Sequence, residues 1–305
     1  MKLYKNFNIS KNYKGSIILI GNFDGLHLGH QKLFRLANKY KKKFKLKVGV
    51  VTFEPIPKMF FDQKIKNFRI SNINQKNKIL KDLGVNFVIN KKFDKKFSKI
   101  KFNYFIKKIL HNKLNAKYIF VSNNFRFGNK REGDVKQLIK KENIYNYKIV
   151  EPKPLILKNK LISSTFIRKL LEKGDLKKVN SLLNRNWSIE GKVQKGRQLG
   201  KKIGFPTCNI DIDDYIIAMP GVYAVRVYQK NKKNYLKAIA NLGYRPTFKQ
   251  KKILLEVHIF NFSGNLYNKH LSVEFIKFIR KEKKFKNVDQ LKKQIKSDLR
   301  VAKQS

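Results

Sequence analysis

The chain has 305 residues, of which 71 are Lys or Arg and 20 are Asp or Glu, so its formal net charge is +51. This length predicts two domains, and 42% hydrophobic with 12% aromatic residues indicates a folded protein. A single cysteine, Cys208, excludes an internal disulfide and any metal site built from several cysteines. No apolar run approaches the roughly 18 residues of a membrane helix, and the N-terminal residues lack a signal-peptide core, so we expect a cytoplasmic protein without membrane association.

The positive charge admits two interpretations. An excess of basic residues is typical of proteins that bind nucleic acid or a membrane surface. Here 60 of the 71 basic residues are lysines, and they are spread along the whole chain. Asn, Ile and Phe are also heavily used, as in the products of AT-rich coding sequences. We therefore attribute the charge to compositional bias and expect no specific nucleic-acid partner, although the charge should attract nucleotide phosphates.

The first candidate site is the stretch GNFDGLHLGHQ, residues 21–31. A short apolar run at residues 17–20 precedes it and predicts a buried strand. Apolar residues then recur at helical spacing, at Leu33, Leu36, Ala37 and Tyr40. The stretch is therefore predicted to form a turn between a strand and a helix.

Two histidines and three glycines give this turn its chemistry. His27 and His30 would lie near the free N–H groups of the helix start, where anions bind well. Gly21, Gly25 and Gly29 allow the backbone to bend and to approach a ligand closely. The turn is thus a candidate site for a phosphate-bearing ligand.

Strand-like and helical segments alternate through the rest of the first half. The pattern predicts strands at residues 47–53, 87–89 and 118–121, with helices at residues 69–81 and 104–110. Such alternation favours an open, doubly wound parallel sheet of the Rossmann-like α/β class. Ligands of these sheets bind beyond the carboxyl ends of the strands, which is where the histidine turn should lie.

A second motif, SNNFRFG, follows the predicted strand at residues 118–121. The Asn124 amide can both donate to and accept from a nucleotide or phosphate, so we predict a ligand role for it. Phe125 and Phe127 are expected to pack the loop instead.

A third motif, ISSTFIR, spans residues 162–168 and begins a predicted helix. Hydroxyl groups at a helix start can be simple N-caps. Three of them with an arginine one turn later exceed what a cap requires. Ser164, Thr165 and Arg168 therefore predict a phosphate cradle of hydroxyls, free N–H groups and one guanidinium.

The second half has a different pattern, and we place the boundary near residue 184. Five strand-like segments with short connections predict an antiparallel barrel, and they fall at residues 187–193, 222–228, 235–242, 253–260 and 271–278. One apolar stripe predicts a closing helix, at Val288, Leu291, Ile295, Leu299 and Ala302.

A glycine-rich stretch, GKVQKGRQLGKKIGFPTCN, lies early in this half. Backbone N–H groups can surround phosphate where glycines recur, here at Gly191, Gly196, Gly200 and Gly204. Thr207 and Asn209 offer side-chain oxygens two residues apart, which suits a hard cation such as Mg²⁺. The stretch therefore predicts a site for ATP and magnesium.

Glu256 lies in the strand-like segment ILLEVHIF. Alternation predicts that Leu255, Val257 and Ile259 face one way, whereas Glu256 and His258 face the other. A glutamate at such a position can be a solvent-facing residue or a general base. Phosphoryl transfer to a hydroxyl needs a base of this kind. We interpret His258 as structural.

Taken in chain order, these motifs resemble the bacterial bifunctional riboflavin kinase/FAD synthetase family over nearly the whole chain. G-x-F-D-G-x-H-x-G-H and I-S-S-T-x-I-R are similar to the nucleotidyltransferase motifs of that family. G-x-P-T-x-N and E-V-H are similar to its flavokinase motifs, and NLGYRPTF agrees as well. The chain departs from the family pattern at Ser122, Lys201 and Asn268, where the family usually has Gly, Arg and Gly.

The resemblance implies an FMN adenylyltransferase domain over residues 1–183 and a riboflavin kinase domain over residues 184–305. The second domain would phosphorylate riboflavin to FMN with ATP, and the first would adenylylate FMN to FAD with release of pyrophosphate. Each step would use Mg²⁺. No protein nucleophile is needed, because catalysis consists of positioning two anions and neutralising the charge that develops.

The resemblance also assigns roles to individual residues. It implies contacts to ATP by residues of the histidine turn, namely Gly21, Phe23, Asp24, Gly25, His27, Gly29 and His30. It makes Glu256 the general base, gives Thr207 and Asn209 to the metal and ATP, and places Arg280 and Phe285 beside the flavin.

Two alternatives remain open at this point. The first is a basic RNA-binding protein on a degenerate nucleotidyltransferase scaffold, against which the intact His27, His30 and Glu256 argue. The second is a nucleotidyltransferase with a different acceptor, against which the flavokinase motifs argue. The sequence does not give the oligomeric state.

Overall fold

The computed structural model describes residues 1–196, 199–212, 214–229, 234–246 and 251–305. The chain forms two compact units. The first contains Met1–Lys66 and Ile73–Ser163, and the second contains Asn67–Asn72 and Ser164–Ser305. The second unit therefore includes the segment 67–72 from the first half of the chain as well as residues 164–183. The functional boundary near residue 184 stays a prediction.

The first unit, every residue of which is described, contains a π-helix, Phe105–Lys113, with the following strands and α-helices. The strands are β1 (Lys2–Tyr4), β2 (Ile17–Ile20), β3 (Val48–Glu54), β4 (Phe87–Lys92), β5 (Tyr118–Phe120), β6 (Arg126–Phe127), β7 (Gly133–Asp134), β8 (Lys148–Val150), β9 (Ile156–Leu157) and β10 (Lys160–Leu161). The α-helices are α1 (Leu28–Phe44), α2 (Pro57–Phe61), α3 (Ile73–Asp82), α4 (Lys95–Ser98), α5 (Phe102–Tyr104), α6 (Val135–Lys140) and α7 (Glu142–Tyr145).

Six of these strands form one parallel sheet in the order β1-β4-β3-β2-β5-β8. The open parallel sheet predicted from the sequence is thus confirmed. β2 pairs with β3 on one side and with β5 on the other, so the chain leaves β2 at the point where the strand order reverses. Crevices that bind ligands open at such switch points.

Both faces of the sheet are covered by apolar cores. On β2, Ile17 and Leu19 belong to one buried cluster, whereas Ile18 and Ile20 belong to the other. α1 contributes Leu33, Phe34 and Ala37 to the first of these clusters. Strands buried on both faces read as unbroken apolar runs, which explains why β2 was recognisable from its sequence.

One predicted helix was wrong at its beginning. The sequence predicts a helix over residues 69–81, but α3 begins at Ile73. Residues 67–72 pack with the second unit instead, where Arg69 forms a parallel bridge with Tyr215 and the Trp187 indole Nε1–H donates to the Ile70 carbonyl at 2.9 Å. Tertiary contacts therefore override the local helical pattern here.

The second unit contains α8 (Ser164–Glu172), α9 (Leu176–Leu183), β11 (Ser188–Gln194), α10 (Leu199–Lys202), β12 (Cys208–Asp211), β13 (Gly221–Gln229), β14 (Tyr235–Pro246), β15 (Lys251–Ile259), β16 (His270–Lys281) and α11 (Val288–Lys303). Among the described residues, six strands close into an antiparallel barrel in the order β11-β12-β15-β14-β13-β16. The predicted barrel is confirmed, but β12 was not foreseen as a strand.

α11 packs against the barrel. Its Leu299 and Ala302 contact an apolar cluster that contains Val222, Ala224 and Ile239. Val288, the first residue of the predicted stripe, is exposed. Only the later part of the stripe therefore reaches the barrel core.

Candidate active sites

The histidine turn lies at the carboxyl end of β2, at the switch point of the parallel sheet. His27 is the N-cap of α1, and its Nδ1 accepts a 3.4 Å hydrogen bond from the His30 backbone N–H. The two imidazole rings stack with their centroids 3.7 Å apart and their planes 20° apart. The turn thus presents two adjacent imidazoles at the positive end of a 17-residue helix.

His30 is held in its neutral form. Burial, and then the neighbouring His27, lower the pKa of His30 well below the ordinary value. Its Nδ1 is inaccessible to solvent and has no hydrogen-bond partner in the described part of the chain. A neutral imidazole with an unused ring nitrogen can serve as a hydrogen-bonding group for a ligand.

The backbone of the turn runs through the left-handed region at Phe23, Gly25 and Leu26, with φ values of 49°, 76° and 43°. The side chain of Gln31 donates from Nε2 to the Leu26 carbonyl oxygen at 2.9 Å and fastens this stretch to α1. Asp24 is buried within it. The predicted ATP contacts from Gly21 to Gly25 therefore lie in this loop, whereas Gly29 is the second residue of α1.

Gly29 brings the third motif close to the histidines. A Cβ atom at Gly29 would lie 3.2 Å from the His27 ring and 3.5 Å from the carbonyl oxygen of Ile162. Ile162 is the first residue of ISSTFIR, so this part of the motif reaches the histidine turn within the first unit.

Asn124 follows β5, the strand beside β2. Its side chain is exposed, and its Oδ1 accepts a 2.8 Å hydrogen bond from the Ser122 hydroxyl. The residue that replaces the family glycine thus orients the Asn124 amide. Phe125 and Phe127 stack with centroids 5.3 Å apart and pack on the core, as predicted.

The remaining phosphate-cradle residues lie on α8 in the second unit. Ser164 and Thr165 are its first two residues, so their backbone N–H groups belong to the open first turn. Arg168 is buried, its Nε–H donates to the Phe68 carbonyl oxygen at 2.7 Å, and its guanidinium lies 3.6 Å from the centroid of the Phe68 ring. No local sequence pattern identifies Phe68 as the partner of Arg168, because the two residues are far apart in the chain.

The barrel brings together two residues that are far apart in sequence. Asn209 on β12 lies directly opposite Glu256 on β15, and Glu256 in turn lies opposite Asn241 on β14. Directly paired residues of antiparallel strands share one face of the sheet. Leu255 and Val257 are buried on the other face, as the alternation predicted. Asn241 was not among the predicted site residues, because only the strand register places it beside Glu256.

The Asn209 side chain is aimed into a closely packed site. It is buried, and its Oδ1 has no hydrogen-bond partner among the residues that are described. A Cβ atom at Gly196 would lie 1.7 Å from its Nδ2, and one at Gly200 would lie 3.2 Å from the Thr207 Oγ1. The predicted glycine loop therefore lies directly on the predicted metal residues, whereas Gly204, with φ at 87°, lies in open space.

His258 holds the PTCN segment against the barrel. Its Nδ1 lies 2.7 Å from the Pro206 carbonyl oxygen, and because a carbonyl only accepts, this nitrogen carries the proton. Pro206 immediately precedes Thr207. This contact supports the structural role that we predicted for His258.

The two predicted flavin residues lie close together. The Arg280 guanidinium is 5.7 Å from the centroid of the Phe285 ring. The same guanidinium is bound by the buried Asp298 of α11, with Nε–H bonds of 3.0 and 2.9 Å and a 2.8 Å contact from Nη2. Much of its hydrogen-bonding capacity is therefore used in anchoring the helix.

Part of one predicted motif lies outside the described residues. The motif NLGYRPTF ends at residues 247 and 248, which are not among the described residues. Asn268, where the family has glycine, adopts a φ of 63°, a left-handed conformation that asparagine tolerates. In the described part of the chain, no three His, Cys, Asp or Glu side chains form a metal-binding group. None of the helices described is long and apolar enough to cross a membrane.

Comparison with known proteins agrees with both halves. A family model described as FAD synthetase matches residues 9–166, and one described as riboflavin kinase matches residues 183–305. A bifunctional riboflavin kinase/FMN adenylyltransferase from Buchnera aphidicola subsp. Schizaphis graminum is 40% identical, with 99% of this chain and 98% of the relative covered. The protein of the same name from Escherichia coli (strain K12) is 36% identical, with 93% and 91% covered.

Solved structures resemble the chain as well. The crystal structure of a protein named macrolide-efflux protein, from Streptococcus pneumoniae, matches with a TM-score of 0.86 and 30% sequence identity over 99% of this chain and 98% of that one. The activity in that name has no counterpart in the names of the two relatives above. The two family models and the two relatives, which are 40% and 36% identical, agree in naming riboflavin kinase together with FAD synthetase or FMN adenylyltransferase. The chain therefore belongs to the family of bifunctional riboflavin kinase/FMN adenylyltransferases.

Proposed function

We propose that this chain makes FAD from riboflavin in two ATP-dependent steps. Residues 184–305 form the riboflavin kinase domain, which transfers the γ-phosphoryl group of ATP to riboflavin and yields FMN. Residues 1–183 form the adenylyltransferase domain, which joins AMP from a second ATP to FMN and releases pyrophosphate. The partners are thus riboflavin, FMN, FAD and ATP. The observation that carries the proposal is the barrel register that sets Glu256 opposite Asn209.

In the kinase step, Glu256 is the general base. It accepts the proton of the riboflavin primary hydroxyl as that oxygen bonds to the γ-phosphorus and the bond to ADP breaks. Asn209 and Asn241 flank Glu256 on the same face, so they can orient the phosphates and the hydroxyl around it. Burial raises the pKa of the Cys208 thiol to about 11, so this neighbour stays protonated and is no competing nucleophile.

The kinase site fits a magnesium ion. The buried Asn209 Oδ1 lacks a partner in the described structure, and the Thr207 hydroxyl lies in the same segment. Neutral oxygen donors suit Mg²⁺, which takes further ligands from water and substrate phosphates. When bound there, the ion supplies positive charge to the transferring phosphates.

In the adenylyl step, His27 and His30 position the phosphates of ATP, His30 through the ring nitrogen of a neutral imidazole. The helix N-terminus behind them adds partial positive charge. Asn124 is a further proposed phosphate contact in the first unit. The hydroxyls of Ser164 and Thr165 are proposed phosphate contacts at the start of α8. Arg168 stabilises the charge that develops on the leaving pyrophosphate as the FMN phosphate oxygen attacks the α-phosphorus.

One assay tests the proposal. The folded protein is incubated with riboflavin, ATP and Mg²⁺, and the flavins are separated by chromatography. We expect FMN to appear first and FAD afterwards. A second incubation begins with FMN and should give FAD and pyrophosphate. A folded sample that forms neither FMN nor FAD would refute the proposal.

A further inference from the structure

A buried lysine is linked to the histidine turn by two hydrogen bonds. Lys76 on α3 is only 4% exposed, and its Nζ donates to the Thr52 hydroxyl at 3.1 Å. Lysine is almost never fully buried unless its ammonium group is paired, because removing that group from water is unfavourable. The Thr52 hydroxyl is one of the groups that bind this buried ammonium group.

Thr52 continues the link to the turn. It lies near the carboxyl end of β3, is fully buried, and its Oγ1 donates to the Asn22 carbonyl oxygen at 3.3 Å. The ammonium group of Lys76 can only donate, and the carbonyl of Asn22 can only accept. The one hydroxyl proton must therefore point to Asn22, and the relay runs in a single direction, from Lys76 through Thr52 to the turn.

The relay ends beside residues whose backbone adopts the unfavourable left-handed conformation. Asn22 is followed by Phe23, which has a φ of 49°, and Leu26 reaches 43° immediately before His27. Side-chain-bearing residues adopt this region only when surrounding contacts hold them there. The hydrogen bond to the Asn22 carbonyl holds the residue at which this stretch begins.

The neighbouring strand is polar at the same place. Asn90 on β4 is the register partner of Thr52, and its Oδ1 is buried without a partner in the residues described. Two residues earlier on each strand, the paired Val50 and Val88 belong to the apolar core. The sheet thus changes from apolar to polar at the edge that faces the turn, as expected where a site rather than a core is being built.

We propose that Thr52 and Lys76 are positioning residues for adenylyl transfer. They fix the backbone from Asn22 to Leu26 and thereby hold the rings of His27 and His30 in place. The inference rests on the proposed adenylyl function of the histidine turn. It adds two residues outside every motif discussed above.

The test uses Thr52→Val, which keeps the side-chain shape and removes the hydroxyl, and Thr52→Ser, which restores the hydroxyl. With FMN and ATP as substrates, we expect Thr52→Val to lower kcat about tenfold or more, because small displacements of catalytic groups have effects of this size. The KM values should change by less than about threefold. Thr52→Ser should recover most of kcat. Equal kcat in Thr52→Val and the wild type would overturn the proposal.

A double mutant tests whether the two residues act as one unit. Lys76→Met should lower kcat in the same way, and Thr52→Val combined with Lys76→Met should be no worse than Thr52→Val alone. Multiplying effects would overturn the relay. Lys78→Met on the exposed side of α3 is the matched control. Circular dichroism and thermal unfolding of each variant report folding of the first unit, which contains Thr52 and Lys76. Absence of FAD synthesis in the wild type would refute the proposed function rather than the relay.

Discussion

The Arg168 guanidinium carbon lies over the Phe68 ring, 3.6 Å from its centroid, while the Arg168 Nε–H donates to the Phe68 carbonyl oxygen. These contacts fix the plane of the guanidinium. A guanidinium held in this way can bind a phosphate group with defined geometry. A residue from the segment 67–72 thus orients a side chain of the ISSTFIR motif.

We predict that Phe68→Leu weakens ATP binding in the adenylyl step. A cation–π contact of this kind is worth about 0.5–2 kcal/mol, so KM for ATP should rise about two- to thirtyfold. Leu keeps the backbone carbonyl and most of the apolar volume. Steady-state kinetics with FMN and ATP measure the effect, and Phe61→Leu, at an exposed phenylalanine, is the control. An unchanged KM would show that the ring does not orient Arg168.

A second prediction concerns the base of the kinase step. Glu256→Gln keeps the shape of the side chain and removes its ability to accept a proton, so FMN formation should fall by about a hundredfold or more. FMN supplied directly should still become FAD at the wild-type rate. Chromatography of both reactions measures this, and Glu172→Gln at an exposed position of α8 is the control. Loss of both activities would contradict two separate sites.

A third prediction follows from the lowered pKa of His30. Burial, then His27, keep this imidazole neutral in the folded protein, whereas it takes up a proton near pH 6.5 when unfolded. The unfolded state therefore binds more protons as pH falls below about 6.5, and His30 then costs up to about 1.4 kcal/mol of stability per pH unit. Unfolding of the wild type and of His30→Asn at pH 7.5 and 5.5 measures the difference.

The His30→Asn variant should lose less stability between these two pH values than the wild type. It should also let FMN accumulate when riboflavin and ATP are supplied, because only the second step uses the histidine turn. An equal loss of stability in both proteins would show that His30 is not held neutral by the fold. Undiminished FAD synthesis would contradict its role with ATP.

The sequence was most informative about elements whose signals lie within a few neighbouring residues. β2 was predicted to the residue, and the helix after it was predicted from its apolar spacing, because apolar periodicity and glycine punctuation are local signals. The pairing of Glu256 with Asn241 and the relay from Lys76 could not be predicted. Both depend on register and on helix placement, which long-range contacts decide. For the same reason, residues 69–72 were wrongly predicted as helical.

A fourth prediction tests the contact between Gly196 and Asn209. A Cβ atom at Gly196 would lie 1.7 Å from the Asn209 amide nitrogen, so Gly196→Ala must displace that side chain. We expect riboflavin kinase activity to fall about tenfold or more, with a raised requirement for Mg²⁺. FAD synthesis from FMN should be unchanged. Lys195→Ala, at the exposed neighbouring residue, is the control. Wild-type kinase activity in Gly196→Ala would contradict the assigned role of Asn209.

The last prediction separates two roles of Arg280. Its guanidinium is bound in several ways to Asp298, which is itself held by the Gln294 side chain at 2.9 Å. Removing one partner of a buried ion pair leaves the other charge unpaired and costs about 3–5 kcal/mol. Arg280→Met and Asp298→Met should therefore each destabilise the second unit. The double variant should recover much of that stability, because the apolar pair leaves no buried charge.

The affinity of these variants for riboflavin then shows whether Arg280 also contacts the flavin. If the guanidinium contributes to the flavin site, the double variant should bind riboflavin weakly although its stability has recovered. The single variant Asp298→Met, which keeps the guanidinium, should then bind riboflavin more tightly than the double variant. Fluorescence quenching of riboflavin measures binding, and thermal unfolding measures stability. Full recovery of both in the double variant would show that Arg280 acts only by anchoring α11, and the flavin contact would then have to come from Phe285 and its neighbours.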